Sequence, residues 1–261
     1  MKKKQNKAEA DRVLRMAVLA VVLLFLGAGL FVFVRMQNPI ADSEKGKEKL
    51  AAFDSIEVED VQTEIDALVE EDKEKEEALA ARSNEEKFAD CRVVGDSITY
   101  ALVQNEILSS DIVYAAQGVG AITAADDGLK TMIENAIAAE PKKIFLAFGV
   151  NDVSQTEGED TAAFIAAYKA LTDEISNTLP DTVIYVNSIQ PATEALCESK
   201  PAYSHIAEYN AALEELCAEE GMIFIDNTDL ATSDLYLYDG LHFSEDYYPL
   251  WVDRMVTIGK L

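Results

Sequence analysis

The stretch Cys91-Arg92-Val93-Val94-Gly95-Asp96-Ser97 decides the fold of this chain. A short apolar run ends in glycine, acid and serine, and a segment compatible with a helix, 98–108, follows it. This order predicts a strand, a tight turn and a helix. In an open α/β sheet, ligands bind in the crevice past the carboxyl ends of the strands. We therefore expect the Ser97 hydroxyl to be exposed at that turn, beside backbone N–H groups that can bind a negative charge.

The chain after residue 90 alternates apolar strands with helical patterns, which is typical of a parallel α/β sheet. Strands are predicted near 91–95, 111–116, 143–149, 182–188 and 222–226. Helices are predicted near 98–108, 124–139, 160–178, 203–220 and 245–258. Five strands with helices between them indicate a three-layer α/β/α sandwich over residues 90–261, with its site at the carboxyl ends of the strands.

Polar stretches follow two more of the predicted strands. The second strand runs into Gln117-Gly118-Val119-Gly120-Ala121, where glycines let the backbone approach a ligand closely or simply turn. The third strand runs into Gly149-Val150-Asn151-Asp152. The Asn151 amide can donate a hydrogen bond to an oxyanion, and capping the next helix is its alternative role.

The last informative stretch is Tyr238-Asp239-Gly240-Leu241-His242-Phe243-Ser244. Asp239 and His242 lie three residues apart on a glycine-containing loop, so the carboxylate can reach the imidazole Nδ1 and leave Nε2 to face a serine. This is the base-and-orienter geometry of a catalytic triad. The other histidine, His205, has no such companion and is interpreted as structural.

The charge of the chain argues against nucleic acid as a partner. The 261 residues carry a formal charge of −26, and residues 91–261 carry eight Lys or Arg against twenty-eight Asp or Glu. Phosphate binding needs clustered cations. Three cysteines make no disulfide framework, although a single Cys197–Cys217 bridge is open. With two histidines and no Cys-x-x-Cys, we expect neither a metal nor a cofactor.

A membrane anchor is predicted near the N-terminus. Residues 16–34 read MAVLAVVLLFLGAGLFVFV, nineteen residues without a charge. At about 1.5 Å per residue they can cross a hydrocarbon core about 30 Å thick. Six Lys or Arg precede this segment and only Arg35 follows closely, so the positive-inside rule puts residues 1–15 in the cytoplasm and everything after Met36 outside the cell membrane. Cleavage after secretion stays the alternative, although no clear cleavage site follows.

Residues 35–89 are predicted to be an acidic spacer, with a helix over 55–82 where glycine and proline are absent. Four apolar residues in it follow the 3-4-3 spacing of a heptad seam: Val58, Val61, Ile65 and Leu68. The seam ends at Asp72 and Lys75, so it is short. A weak dimer through this helix and an amphipathic helix that is solvated or docks on the core both remain open.

The motif blocks together resemble the GDSL-type, or SGNH, serine hydrolase family. Gly95-Asp96-Ser97 looks like its nucleophile block, Gly149-Val150-Asn151-Asp152 like its Gly-x-Asn-Asp block, and Asp239-Gly240-Leu241-His242 like its Asp-x-x-His block. The resemblance covers roughly residues 90–258 and implies a flavodoxin-like sandwich. It also implies catalytic Ser97, Asp239 and His242. The family's glycine donor falls in the segment after the second strand, where Gly120 is preferred and Gly118 and Ala121 are alternatives.

The resemblance implies acyl transfer from an ester. In it His242 takes the Ser97 proton, Asp239 orients the imidazole, and the oxyanion is held by the N–H groups of Ser97 and Gly120 with the side chain of Asn151. We expect an extracytoplasmic esterase that hydrolyses small acyl, first of all O-acetyl, esters, with cell-wall or surface glycans as substrates by location and analogy. An O-acyltransferase with the same triad, a lipase or thioesterase, and a catalytically silent surface binding module are the alternatives.

Overall fold

The computed structural model describes residues 58–122 and 128–261. The chain divides into two units, 1–78 and 79–261. No helix in the described part of the chain is both long and apolar enough to cross a bilayer. The anchor predicted at residues 16–34 lies outside the described residues and stays a prediction.

The second unit is built on a parallel sheet of five strands, as predicted. The strands are β1 (Cys91–Gly95), β2 (Val113–Ala115), β3 (Lys143–Ala147), β4 (Val183–Asn187) and β5 (Ile223–Ile225). Their order in the sheet is β2-β1-β3-β4-β5. The chain therefore places β2 on one side of β1 and then adds β3, β4 and β5 on the other side. This is the doubly wound flavodoxin-like order, and it opens a crevice at the carboxyl ends of β1 and β3.

Helices cover both faces of the sheet. In β1 and β3, the registered pairs Val93–Phe145 and Gly95–Ala147 point to one face. A Cβ on Gly95 would meet Thr99 of the helix after β1, and one on Gly259 of the last helix would meet Phe145, so these two helices share that face. The crossovers from β2 to β3, β3 to β4 and β4 to β5 run in the opposite direction, so right-handed connections put their helices on the other face. The result is the expected three-layer sandwich.

The helix bounds differ from the predicted ones mostly at the ends. The helices are α1 (Val58–Ala80), α2 (Asn84–Lys87), α3 (Ser97–Gln104), α4 (Gly128–Ala138), α5 (Val150–Gln155), α6 (Thr161–Thr178), α7 (Glu194–Ser199), α8 (Ile206–Glu220) and α9 (Tyr247–Gly259). Short 3₁₀ turns span Pro201–His205 and Thr228–Leu230. The predicted start of α4 at residue 124 falls outside the described residues.

Polar side chains tie α9 to the sheet inside the core. The Asn187 Oδ1 at the end of β4 accepts hydrogen bonds from the Trp251 Nε1 at 2.9 Å and the Asn227 Nδ2 at 3.0 Å. The Asn187 Nδ2 donates to the Leu146 carbonyl at 3.2 Å. All three polar side chains are buried. Since buried amides are costly unless they are paired, this network fixes α9, and the loop before it, against the sheet.

Two features outside the sheet bear on the sequence predictions. Cys91, Cys197 and Cys217 are free thiols, so the open Cys197–Cys217 bridge is not formed. Residues 58–80 form the helix α1, within the helix predicted over 55–82, and its Ile65 and Leu68 side chains are about half exposed; the role of residues 35–89 as a spacer remains a prediction. The dimer seam on this helix remains a prediction.

Candidate active site

Ser97 is the first residue of α3, directly after β1. The preceding Asp96 caps the helix, and its Oδ1 accepts the N–H of Ile98 at 3.0 Å. The first N–H groups of a helix have no acceptor within the helix, so the Ser97 amide is oriented out of the α3 N-terminus. A tight turn between β1 and α3 places Ser97 there. A Cβ on Gly95 would lie 2.0 Å from the Thr99 Oγ1, so only glycine lets α3 pack this closely on the end of β1.

His242 and Asp239 lie on the loop between β5 and α9. One oxygen of Asp239 accepts the N–H groups of Leu241 and His242, each at 3.0 Å, which folds the loop back on itself. Its other oxygen lies 2.7 Å from the His242 Nδ1. The carboxylate therefore shapes the loop and orients the imidazole at the same time.

The structure brings Ser97, His242 and Asp239 into one chain of hydrogen bonds. The Ser97 Oγ lies 2.9 Å from the His242 Nε2, although 145 residues separate them. Partial burial of Asp239 acts to raise its pKa, but hydrogen bonds from Leu241 and His242 outweigh this, so the pKa lies below its ordinary value. Asp239 is therefore ionised near neutral pH, as a group that stabilises an imidazolium must be.

Asn151 lies in the first turn of α5 and lines the same cavity as Ser97 and His242. Its Nδ2 donates to the Val119 carbonyl at 2.8 Å. An amide nitrogen carries two hydrogens, so a second one is left to donate. The same hydrogen bond ties the segment after β2 to the segment after β3.

Asp152 organises the segment that holds the candidate glycine donors. Its two oxygens accept the N–H groups of Ala121 at 3.0 Å and Ile122 at 2.7 Å. Gly120 packs so closely on this carboxylate that a Cβ would lie 2.6 Å from it. Because the Ala121 amide donates to Asp152, the alternative that made Ala121 an oxyanion donor does not hold here. Gly118 lines the cavity, whereas Gly120 is buried against Asp152.

Asp96 is a buried carboxylic acid beside the triad, 3% exposed. Burial raises its pKa to about 7, although hydrogen bonds from Ile98 and Thr99 and the charge of His242 act in the opposite direction. Burial also raises the pKa of Asp152. Asp96 and Asp152 are therefore two buried acids with raised pKa values near the triad. A raised pKa was not predicted from the sequence for either of them.

The triad opens onto a cavity of about 470 Å³. Besides Ser97, Asn151, His242 and Gly118, it is lined by side chains that the motifs did not mark: Ala101, Gln104, Asn105, Gln117, Leu237, Phe243 and Tyr248. His205 lies elsewhere, with its Nδ1 3.1 Å from Glu208. Within 58–122 and 128–261, no group of three or more His, Cys, Asp or Glu is placed to hold a metal ion.

Comparison with known proteins decides the family. The model of the GDSL-like lipase/acylhydrolase family matches residues 93–249, which is 157 of the 261 residues. The chain belongs to this family. As a GDSL-like acylhydrolase it is a carboxylic ester hydrolase, and the match runs from within β1 through β5 and includes Ser97, Asn151 and His242. No curated protein matches the chain.

Solved structures of GDSL-like and related esterases share this fold. A lipase/acylhydrolase from Enterococcus faecalis is 22% identical with a TM-score of 0.52, covering 64% of this chain and 94% of its own. A GDSL-like lipase from Bacteroides thetaiotaomicron is 17% identical with a TM-score of 0.51, covering 72% and 95%. A carbohydrate esterase of family 3 from Talaromyces cellulolyticus is 15% identical with a TM-score of 0.50, covering 64% and 94%.

Proposed function

We propose that this GDSL-like acylhydrolase is an extracytoplasmic serine esterase that removes small acyl groups, first of all O-acetyl groups, from cell-wall or surface glycans. The observation that carries the catalytic part is the chain of hydrogen bonds from Ser97 through His242 to Asp239, at 2.9 and 2.7 Å. The apolar segment 16–34 with six cations before it supports the location. A carbohydrate esterase among the structures of the same fold supports the glycan.

The geometry supports a two-step acyl transfer. The Ser97 Oγ attacks the ester carbonyl while its proton passes to the His242 Nε2, and Asp239 stabilises the resulting imidazolium. The tetrahedral oxyanion is held by the Ser97 N–H, the second Asn151 Nδ2 hydrogen and a glycine amide, for which Gly120 and Gly118 are the candidates. The alcohol then leaves with the proton from His242. Water, deprotonated by the same imidazole, attacks the acyl-enzyme and releases the acid.

Loss of the nucleophile tests this function directly. We expect Ser97→Ala and His242→Ala to lower kcat on p-nitrophenyl acetate by about 10⁴-fold or more, because the hydroxyl and its base act as one unit. His205→Ala is the matched control, since His205 lies outside the cavity, and it should keep most of the turnover. Wild-type turnover in Ser97→Ala would remove this residue from the mechanism.

A covalent probe separates an active serine from a merely exposed one. A fluorophosphonate should label the wild-type chain and the His205→Ala variant but not Ser97→Ala. A wild-type chain that resists the probe would speak against the nucleophile. Assaying acetate release with and without a glycan acceptor then distinguishes hydrolysis from transfer to that acceptor.

A further inference from the structure

The cavity beyond the triad has an unusual lining for so acidic a protein. Three carboxamide side chains, Gln104, Asn105 and Gln117, line it away from the triad, and we call this group the amide subsite. Among the described residues of the lining, His242 is the only one that can carry a charge below the pKa of tyrosine. Residues 91–261 as a whole carry a formal charge of −20.

The spacing along α3 says how far the amide subsite lies from the reacting bond. Ser97, Ala101 and Gln104 follow one another at intervals of four and three, so they form one stripe on α3, and Asn105 directly follows the helix as its C-cap. Gln104 and Asn105 lie two turns from Ser97, which is about 10 Å along the helix axis. An acetyl group on Ser97 spans only a small part of this distance. A substrate group that meets these amides therefore extends well beyond the scissile ester.

The chemistry of the amide subsite selects among the groups that could extend there. A carboxamide both donates and accepts hydrogen bonds, which matches the hydroxyl groups of a sugar or polyol. An alkyl chain would leave these polar groups unpaired. An anionic group would find no Lys or Arg in the described lining, and the negative charge of the hydrolase domain would repel it.

We propose that the amide subsite binds the alcohol part of the ester substrate and that this part is a neutral, polyhydroxylated group such as an uncharged sugar ring. The proposal rests on the esterase function proposed above and narrows its substrate. The same described lining disfavours acidic sugars, which would find no Lys or Arg there; its apolar residues Ala101, Leu237 and Phe243 offer contacts to an alkyl chain, but such a chain gives the three amides no hydrogen-bond partner.

A matched pair of substrates tests the charge preference. The full-length chain is assayed on methyl glucoside and methyl glucuronoside that carry one O-acetyl group at the same ring position, with p-nitrophenyl acetate as the reference ester. The two sugars differ only in a hydroxymethyl group against a carboxylate. We expect kcat/KM for the neutral sugar to exceed that for the acidic one by about tenfold or more. Equal values, or a preference for the glucuronoside or for octyl acetate, would overturn the proposal.

Variants of the amide subsite test the residues. In Gln104→Ala/Gln117→Ala, the ratio of kcat/KM for the neutral sugar acetate to that for p-nitrophenyl acetate should fall about tenfold, through a higher KM for the sugar. Asn177→Ala is the control: this exposed amide lies at the C-terminal end of α6, just before the start of β4 and so away from the carboxyl ends of the strands, and its ratio should stay at the wild-type value. An unchanged ratio in the double variant would refute the assignment.

A variant that gains activity on the acidic sugar is a stronger test, because a damaged fold can explain a loss of activity but not a gain. Gln117→Lys places a cation in the cavity and should raise kcat/KM for the acetylated glucuronoside severalfold relative to the neutral sugar. No relative gain would count against the subsite. These results can be told apart from a failure of the esterase mechanism proposed above. If that mechanism were wrong, Ser97→Ala would still cleave p-nitrophenyl acetate at the wild-type rate.

Discussion

Replacing Asp96 by asparagine should make this esterase more stable at high pH. Burial raises the pKa of Asp96 from 3.8 to about 7 in the folded chain. An acid with a raised folded pKa favours the folded state below its unfolded pKa, and this advantage is lost as the pH rises through the folded value. The variant Asp96→Asn carries no charge at any pH and keeps an oxygen to accept the Ile98 N–H, and asparagine caps helices about as well as aspartate.

The size of the effect follows from the pKa difference. A shift from 3.8 to about 7 corresponds to roughly 4 kcal/mol of folding free energy, all of it lost above pH 8. At pH 5 only about 2 kcal/mol is lost, because this pH lies little more than one unit above the pKa of 3.8 that Asp96 has in the unfolded chain. A cavity of about 20 Å³ beside Asp96 has room for one water, so these figures are upper bounds.

The assay is urea unfolding of the wild-type chain and Asp96→Asn at pH 5 and pH 8. The single tryptophan, Trp251, is 1% exposed and reports on the core by its fluorescence. We expect the advantage of the variant to grow by about 2 kcal/mol between the two pH values. Asp160→Asn, at the exposed cap of α6, is the control for a change of cap without burial. A variant whose advantage is the same at both pH values would refute the buried-charge argument.

Two further predictions concern contacts around the site, and a third concerns the segment before the hydrolase domain. Asp152→Asn should lower kcat on p-nitrophenyl acetate about tenfold or more with little change in KM, because Ala121 and Ile122 donate to different oxygens of Asp152 and the NH2 group of asparagine would face one of these two donors; unchanged kcat would make Asp152 purely structural. Gly95→Ala should cost about 3 kcal/mol or more of stability in urea unfolding, since a Cβ would lie 2.3 Å from the Ala147 carbonyl oxygen; a wild-type midpoint would contradict the close packing of α3. Deleting residues 40–78 should spare hydrolysis of a soluble ester but reduce release of acetate from intact cell wall; equal loss on both would disprove a spacer role.

The sheet could be predicted from the sequence because its inner strands β1, β3 and β4 are mostly buried and read as apolar runs. All five strands lie where they were predicted, and only their ends are shorter. The helices α5 and α7 were missed for a physical reason. Each has six residues, and α7 lies in a polar stretch between two prolines, so neither shows the periodicity that marks a longer helix.

Only some residues of the candidate site could be predicted from the sequence. Ser97 could be proposed because it follows a strand directly, and Asp239 and His242 because an acid three residues before a histidine matches the base-and-orienter pair of a triad. Gln104 and Gln117 could not, because a glutamine on a helix or in a loop is an ordinary surface residue. Only the packing of α3 beside the segment after β2 puts them into one cavity. The substrate preference that we propose therefore depends on tertiary contacts that no short motif records.

The two buried acids show why such a site is costly to the fold. Asp96 caps the helix that begins at Ser97, and Asp152 holds the segment after β2 by accepting two backbone N–H groups. Burial raises the pKa of both, and the charge of Asp152 adds to the rise at Asp96. Stability alone would favour neutral residues at both positions. Both terminal atoms of a carboxylate accept hydrogen bonds, whereas one terminal atom of an amide is a donor, so the acids give the segments at the site a more definite position at the expense of folding free energy.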